Sequence, residues 1–562
     1  MPKLLLCSLL CGFPLLSHAQ LPALTSSLPA RQTLTASPGG PVRLTFSGPV
    51  ANPDPIRVNT DQRRGQRAGT LSGAGTSQVE FRPEQPFAPG ERVSVSVPAS
   101  VSRPAQVLEF RAAAGRGRAT FGPPQTASPN INTFPAAVIA GDVDNDGDQD
   151  LIIGEAVGGR ICFNDGKGNF LTTPTQPIPI TNNAGDLLLA DFNGDGNLDI
   201  LASTARQVSE VGLNLGNGQG DFSNRTTVFR GMLSKVQFVT GDFNADGLTD
   251  AVFMDAEGAG SVLQLMLGTR SGNFVLEPRQ LATLPGRDIG VADMDADGDL
   301  DLLLVSDKLL GVYLNDGNGQ FSAGATLAVN GFSAKLTVGD FTGDGHADVV
   351  CTSYETASLS LVPGDGAGGL LAVRNVSALS PTWQVSSADM DGDLDLDLLA
   401  TNDRGITQVL LNDGSGQFAP ASAILIGFDL FFTADAADLN GDGALDVYTS
   451  KQIFNPVNPR GIDIFFNQPP LVTSAAAAAR AGQLVLYPNP AHGQTTLELP
   501  ASPEPTAVEV RDALGRLVQT LTVAPGPATR TVPVPLAELV PGVYSVRART
   551  SRWRGVQRLL VE

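Results

Sequence analysis

Histidine, cysteine and tryptophan are almost missing from this chain of 562 residues, with three, four and two copies. Beyond the N-terminal segment no apolar run is long enough to span a bilayer, which takes about 20 residues. Positive charge is also scarce, 37 Lys and Arg against 57 Asp and Glu, so the net charge is −20. Such a chain repels nucleic acid and anionic membranes and attracts cations. The first residues read as an export signal: Lys3, the apolar run Leu4 to Leu16, then Ser17-His18-Ala19 before Gln20. Leu10 stands where a lipoprotein signal needs a small residue before Cys11. Removing residues 1–19 takes Cys7, Cys11 and His18 away. Cys162 and Cys351 remain, each in an apolar run, and are expected as buried thiols rather than a disulfide. His346 and His492 alone do not supply a Ser-His-Asp triad or a His-rich zinc site.

What the chain has in plenty is glycine (62), proline (40) and patterned aspartate. Many short strands joined by turns suit that balance better than helices, so an all-β fold is expected. One nine-residue pattern recurs seven times: DVDNDGDQD from Asp142, DFNGDGNLD from Asp191, DFNADGLTD from Asp242, DMDADGDLD from Asp293, DFTGDGHAD from Asp340, DMDGDLDLD from Asp389 and DLNGDGALD from Asp438. Successive starts are 49, 51, 51, 47, 49 and 49 residues apart. Self-similarity at such a period marks a repeat architecture. The second position of every loop is apolar, as is the residue after every final aspartate, which pins both ends of the loop to a core.

Positions 1, 3, 5 and 9 carry oxygen side chains: Asp142, Asp144, Asp146 and Asp150; Asp191, Asn193, Asp195 and Asp199; Asp242, Asn244, Asp246 and Asp250; Asp293, Asp295, Asp297 and Asp301; Asp340, Thr342, Asp344 and Asp348; Asp389, Asp391, Asp393 and Asp397; Asp438, Asn440, Asp442 and Asp446. Position 6 is glycine except at Leu394, and position 7 can offer a carbonyl. Two like charges 4 Å apart cost about 4 kcal/mol at an effective dielectric near 20. Three or four in one tight turn therefore require a counter-ion. An Asx-turn explains one aspartate, not four at fixed offsets. Calcium (Ca2+), which accepts 6–8 oxygens in flexible geometry, is the expected guest, up to seven ions in all, with magnesium second. Thr342 and Leu394 mark the two loops expected to bind more weakly, and His346 is expected to be solvated.

About twenty residues after a loop comes an Asn-Asp-Gly or Gly-x-Gly turn, as in FNDGKGNF (163–170), YLNDGNGQF (313–321) and LLNDGSGQF (410–418). This is hairpin chemistry and not a phosphate cradle, because no helical segment and no Gly-Lys-Ser/Thr follows. Each unit thus holds about four short strands, the make-up of a propeller blade. The last unit stops at Phe465-Phe466-Asn467 one strand short, and Thr120-Phe121-Gly122 stands ahead of the first loop to complete it.

These loops and turns resemble FG-GAP/VCBS repeats, the blades of integrin-α-like propellers, over about 120–467. The resemblance implies a seven-bladed propeller over 119–467, with largely structural calcium between the first and second strands of each blade and partners on the opposite face or the rim. Residues 20–115 alternate apolar and polar, as in Val93-Ser94-Val95-Ser96-Val97, and resemble a bacterial Ig-like β-sandwich. Residues 468–482 read as a linker. Residues 483–562 carry Tyr487-Pro488-Asn489-Pro490, Asp512-Ala513-Leu514-Gly515-Arg516 and Pro541-Gly542-Val543-Tyr544. They are similar to the C-terminal sorting domain of the type IX secretion system, which implies contact with that machinery, export and either release or surface attachment.

The fold class expected is therefore all-β, a seven-bladed propeller flanked by two small β-sandwich domains. The expected function is a secreted or surface binding and adhesion scaffold for a glycan or protein, not an enzyme. The alternative is an extracellular polysaccharide hydrolase or lyase, or an accessory module of one. Trp383, Tyr313, Tyr354 and Tyr448 are the aromatic rings of the propeller with sugar-stacking potential.

Overall fold

The computed structural model describes residues 21–127, 137–155, 157–170, 176–180, 184–204, 210–230, 236–255, 262–281, 286–333, 335–402, 404–425, 434–451, 461–468 and most of 485–561. The export signal, nearly all of the linker, His492, Pro488–Pro490, Ala513–Arg516 and Pro541 lie outside the described residues. The chain divides into two compact units, Met1–Pro469 and Pro470–Glu562.

Among the described residues every element of the first unit is a strand. Around the acidic loops, seven consecutive four-stranded antiparallel sheets appear among the described residues. In the first sheet Ala137–Gly141 leads into the Asp142 loop, Asp150–Gly154 leaves it, and Gly159–Cys162 and Gln176–Ile178 complete the sheet. The apolar run Leu151-Ile152-Ile153 is buried on both faces, and the reason is visible in its neighbours. Leu151 and Ile153 pack with Leu439, Tyr448, Ile462 and Ile464 of the seventh sheet, while Ile152 packs with Leu187, Leu189 and Ile200 of the second. Because side chains alternate across a strand, one strand serves two cores. The same arrangement repeats at the other interfaces, from the second and third sheets through to the sixth and seventh, so the sheets form a closed β-propeller ring.

Closure uses a strand from before the first repeat. Gln125–Thr126 pairs with Gly461–Phe465 and completes the seventh sheet, and Phe121 bridges Asn467. The paired strand lies a few residues beyond the segment Thr120-Phe121-Gly122 expected from sequence. The first strand of each sheet is innermost: Ala140, Leu188, Thr337 and Ala436 border a central cavity of about 310 Å³. The two cysteines among the described residues are buried, Cys162 in the first sheet and Cys351 in the fifth, and burial pushes the Cys351 thiol up to about 12.

Ahead of the ring, a four-stranded sheet containing Val42–Val50 and Thr76–Pro83 and a three-stranded sheet containing Arg57–Thr60, Arg92–Val97 and Gln106–Arg111 enclose one core. The period-two alternation of a half-buried strand is plain here: Leu44 and Phe46 turn inward and Arg43 outward. In the C-terminal unit a three-stranded and a four-stranded sheet enclose Leu497, Val508, Val546 and Leu559. Among the described residues no helix is long and apolar enough to cross a membrane.

Candidate metal centres

Each acidic loop joins the first and second strands of its sheet, and the ninth-position aspartate is the first residue of the second strand. That residue is fully buried in all seven loops. Its two oxygens do two jobs. In the first loop Asp150 Oδ2 accepts the Val143 N–H at 3.2 Å, and Oδ1 accepts the Asn164 N–H at 2.9 Å. The loop is thereby clamped to the turn that ends the third strand. The same pair of bonds recurs at Asp199, Asp250, Asp301, Asp348, Asp397 and Asp446. A carboxylate oxygen has two lone pairs, so each clamp keeps acceptor capacity. Desolvation pushes the Asp150, Asp199, Asp397 and Asp446 carboxyls up to about 8, against the N–H bonds that draw them down.

Positions 1 to 7 form the rest of the cage. The sixth-position N–H donates to Oδ2 of the first aspartate in every loop, at 2.7–3.1 Å. The seventh-position N–H donates to Oδ1 of the fifth, at 2.8–3.1 Å. Position 4 always has positive φ, at Asn145, Gly194, Ala245, Ala296, Gly343, Gly392 and Gly441. The two atypical loops, with Thr342 and Leu394, keep this wrapping, although Leu394 does so at φ 78°, a left-handed conformation costly for a side chain.

Three loops gather carboxylate oxygens closely enough to hold one cation: Asp142, Asp144 and Asp146; Asp293, Asp295 and Asp297; Asp389, Asp391 and Asp397. In each, one buried oxygen has no hydrogen-bond partner, namely Asp142 Oδ1, Asp293 Oδ1 and Asp391 Oδ1. A buried carboxylate oxygen without a donor is costly, and an all-oxygen donor set with orphaned members fits a hard divalent cation. Burial and neighbouring aspartates raise Asp142 and Asp293 to about 6 and Asp389 to about 7. In the second, third and seventh loops, where position 3 is asparagine, its Nδ2 donates to the fifth-position carboxylate at 2.9, 3.1 and 3.2 Å. There a neutral amide removes one charge from the cluster.

Family comparison agrees with this repeat geometry. FG-GAP-like repeats match at 142–202, 242–304, 293–351, 340–400 and 389–449, and a secretion system C-terminal sorting domain matches at 485–562. The chain carries FG-GAP-like repeats and a type IX sorting tail. The tail sends the FG-GAP-like propeller through type IX export, to the outer surface or beyond it. Comparison with curated proteins finds no match. Solved structures with overall likeness include BBS1N in complex with ARL6DN (10% identity, 64% of this chain and 99% of the other, TM-score 0.43). A lectin of Agrocybe aegerita that recognises non-reducing terminal N-acetylglucosamine is 17% identical (85% and 99%, TM-score 0.29). A structural genomics protein from Bacteroides thetaiotaomicron is 13% identical (80% and 98%, TM-score 0.33).

On the FG-GAP-like propeller the acidic loops do not all face solvent. The N-terminal sheets lie against them. Arg31 is ion-paired with Asp293, and the Arg63 guanidinium donates to the Gly147 carbonyl. The Gln66 N–H donates to Asp191 Oδ2 at 3.0 Å. The Val107 and Gly115 N–H groups donate to the Gly298 and Gly443 carbonyls at 2.6 Å each. Gly65 approaches so closely that a Cβ there would lie 1.8 Å from Asp191 Cβ.

Two features of the loops escape a reading of positions 1, 3, 5 and 9. Asp148, Asp299 and Asp395 occupy position 7 of the three cation-sized loops, and Asp299 and Asp395 are pushed up to about 7 and about 6 by burial and by neighbouring aspartates. Their acidity was printed in the sequence but hidden by the role assigned to the carbonyl. His346, at the same position, is half-buried against Gly366 rather than solvated.

Proposed function

We propose that this chain is a calcium-stabilised binding scaffold, working at the outer surface or after release, with the acidic loops structural and a partner held elsewhere. Up to seven ions would sit one per loop, held by the residues at positions 1, 3, 5 and 9. The observation that carries the reading is the commitment of the acids. Every ninth-position aspartate spends both oxygens on backbone N–H groups, and the loop face is lined by the N-terminal sheets. Carboxylates so engaged serve the ring and not acid–base work on a polymer. The partner on this reading is a glycan or a protein met outside the cell.

Two measurements test it. Thermal melting of the full chain with millimolar calcium and with chelator should differ by many degrees, because ions that bind only the folded state stabilise it by mass action. Coincident curves would remove the calcium assignment. Glycan and protein arrays, paired with reducing-end assays on polysaccharides, should give retention without product. Release of oligosaccharide would instead favour the hydrolase or lyase alternative.

A further inference from the structure

The face of the propeller opposite the acidic loops carries the links between sheets and the turns between second and third strands. Four residues from three sheets meet there. Arg287 precedes the first strand of the fourth sheet, Phe332 lies in the link to the fifth, Tyr354 lies in the second-to-third turn of the fifth, and Trp383 belongs to the first strand of the sixth, Thr382–Ala388. The Arg287 guanidinium sits 3.8 Å above the Phe332 ring. Phe332 and Tyr354 centroids are 4.6 Å apart, and Tyr354 and Trp383 stack at 5.0 Å with only 8° between their planes. The rings form a continuous row ending on an indole that is 43% exposed.

This exposure is built in. The strand carries a register shift between Thr382 and Gln384, so Trp383 is the extra residue of a bulge and turns out of the ladder. The row is also held from below. The Tyr354 N–H donates to the Phe332 carbonyl at 3.2 Å, and the Thr382 N–H to the Ser353 carbonyl at 2.9 Å. A large apolar ring fixed in water, at the end of a pre-ordered stack, awaits something flat with an apolar face.

Charge decides the class of that ligand. The rim holds Arg287 paired with Asp307, and Lys308 paired with Glu355 at 3.2 Å. Acids and bases cancel, so the ledge offers hydrogen-bond donors and acceptors without net charge. Tyr313 and Tyr448, the other two aromatic candidates of the sequence, are buried in cores and leave the ledge as the paired alternative. We propose that the Trp383–Tyr354–Phe332 ledge is a binding site for a neutral saccharide, whose C–H face stacks on the indole and whose hydroxyls meet the paired charges of the rim. The proposal rests on the scaffold reading above and deepens it by naming the surface and the ligand class. An uronic or sialic acid chain would gain nothing from a neutral rim. A protein partner typically needs about 800 Å² on each side, more than three rings provide.

The test uses the full chain in calcium with Trp553→Phe, which leaves Trp383 as the single tryptophan emitter of the two in the sequence. Cellohexaose, xylohexaose, mannohexaose and laminarihexaose are titrated, with oligogalacturonate as the charged comparison. At least one neutral oligosaccharide should shift the emission saturably, and oligogalacturonate should not. By calorimetry in the otherwise wild-type chain, Trp383→Ala should weaken binding about tenfold or more, equivalent to about 1.4 kcal/mol, because the saccharide loses the ring face on which it stacks. Trp383→Phe should retain part of it, and an unchanged melting temperature in both variants shows that the ring is intact. Undiminished binding in Trp383→Ala overturns the ledge and leaves the scaffold reading standing. Equal or stronger binding of oligogalacturonate overturns the neutral-saccharide assignment. Binding only to outer-surface proteins on the array does the same, while silence on every glycan and protein tested removes the scaffold reading as well.

Discussion

Arg31, near the start of the N-terminal sheets, pairs its guanidinium with Asp293, the first aspartate of the fourth acidic loop. Asp293 is nearly buried and keeps a second oxygen, Oδ1, with no donor. A side chain 262 positions away in sequence thus supplies part of the positive charge that the loop requires. Arg31→Ala is expected to lower the melting temperature of chelated protein, by the equivalent of about 1–2 kcal/mol given that Arg31 is partly exposed. In millimolar calcium the loss should shrink, because the ion takes over the neutralisation. Paired melts with calcium and with chelator check this, and equal losses in both would show that the pair and the ion do not share the charge.

The pH dependence of the chelated protein has a definite sign. Asp150, Asp199, Asp397 and Asp446 are raised from the ordinary carboxylate range, about 3.9, to about 8. Folding therefore favours their protonated forms. Their contribution is fully present below about pH 4 and is lost as pH rises through about 8. Chelated protein should melt progressively lower between about pH 5 and about pH 8. Calcium requires the ionised forms, so the gap between calcium-loaded and chelated melting temperatures should widen over the same range. A gap that narrows would contradict carboxylate ligation.

Leu394 is the one sixth-position residue with a side chain, and it adopts φ 78° where the other loops use glycine. It is also exposed, so little packing is lost with it. Leu394→Gly relieves a left-handed conformation that costs a side chain roughly 1–2 kcal/mol, against up to about 1 kcal/mol of added chain entropy. The expected outcome is a melting temperature unchanged or raised by a few degrees, most visible in calcium. The reverse change in a regular loop, Gly147→Leu, should lower it, since Gly147 also has positive φ. Matched melting curves of the two variants decide the point.

The ring is sealed by an asparagine. Asn164 Nδ2 donates to the Leu439 carbonyl of the seventh sheet at 2.8 Å and to the Gln149 carbonyl of its own loop at 3.0 Å. Asn315, Asn412 and Asn467 make the same bridge between neighbouring sheets. Asn164→Ala leaves two buried carbonyls unsatisfied, at about 1–3 kcal/mol each. Limited proteolysis should then open the seam between first and seventh sheets before any other. A cut pattern identical to wild type would show that closure rests on the apolar interface alone.

The loops were legible in the sequence because they are local. Nine residues close on themselves through N–H bonds from positions 4 to 7 back to the side chains of positions 1, 3 and 5, and from position 2 forward to the carboxylate of position 9. Aspartate and glycine at fixed offsets therefore print the geometry directly, and the 47–51-residue spacing prints the repeated sheets. The C-terminal sorting signature is local in the same sense. Three other features depend on contacts that close only when the ring forms. These are the seam joining Asn164 to Leu439, 275 positions apart, the N-terminal sheets seated on the acidic loops, and the row from Arg287 to Trp383 assembled from three sheets. No periodicity records such contacts, since each partner looks locally like an ordinary turn or strand residue. Composition and offset determined what each repeat contains. Which repeats touch, which aromatic rings are buried in cores and which are left in water was decided by the tertiary packing of one sheet against the next.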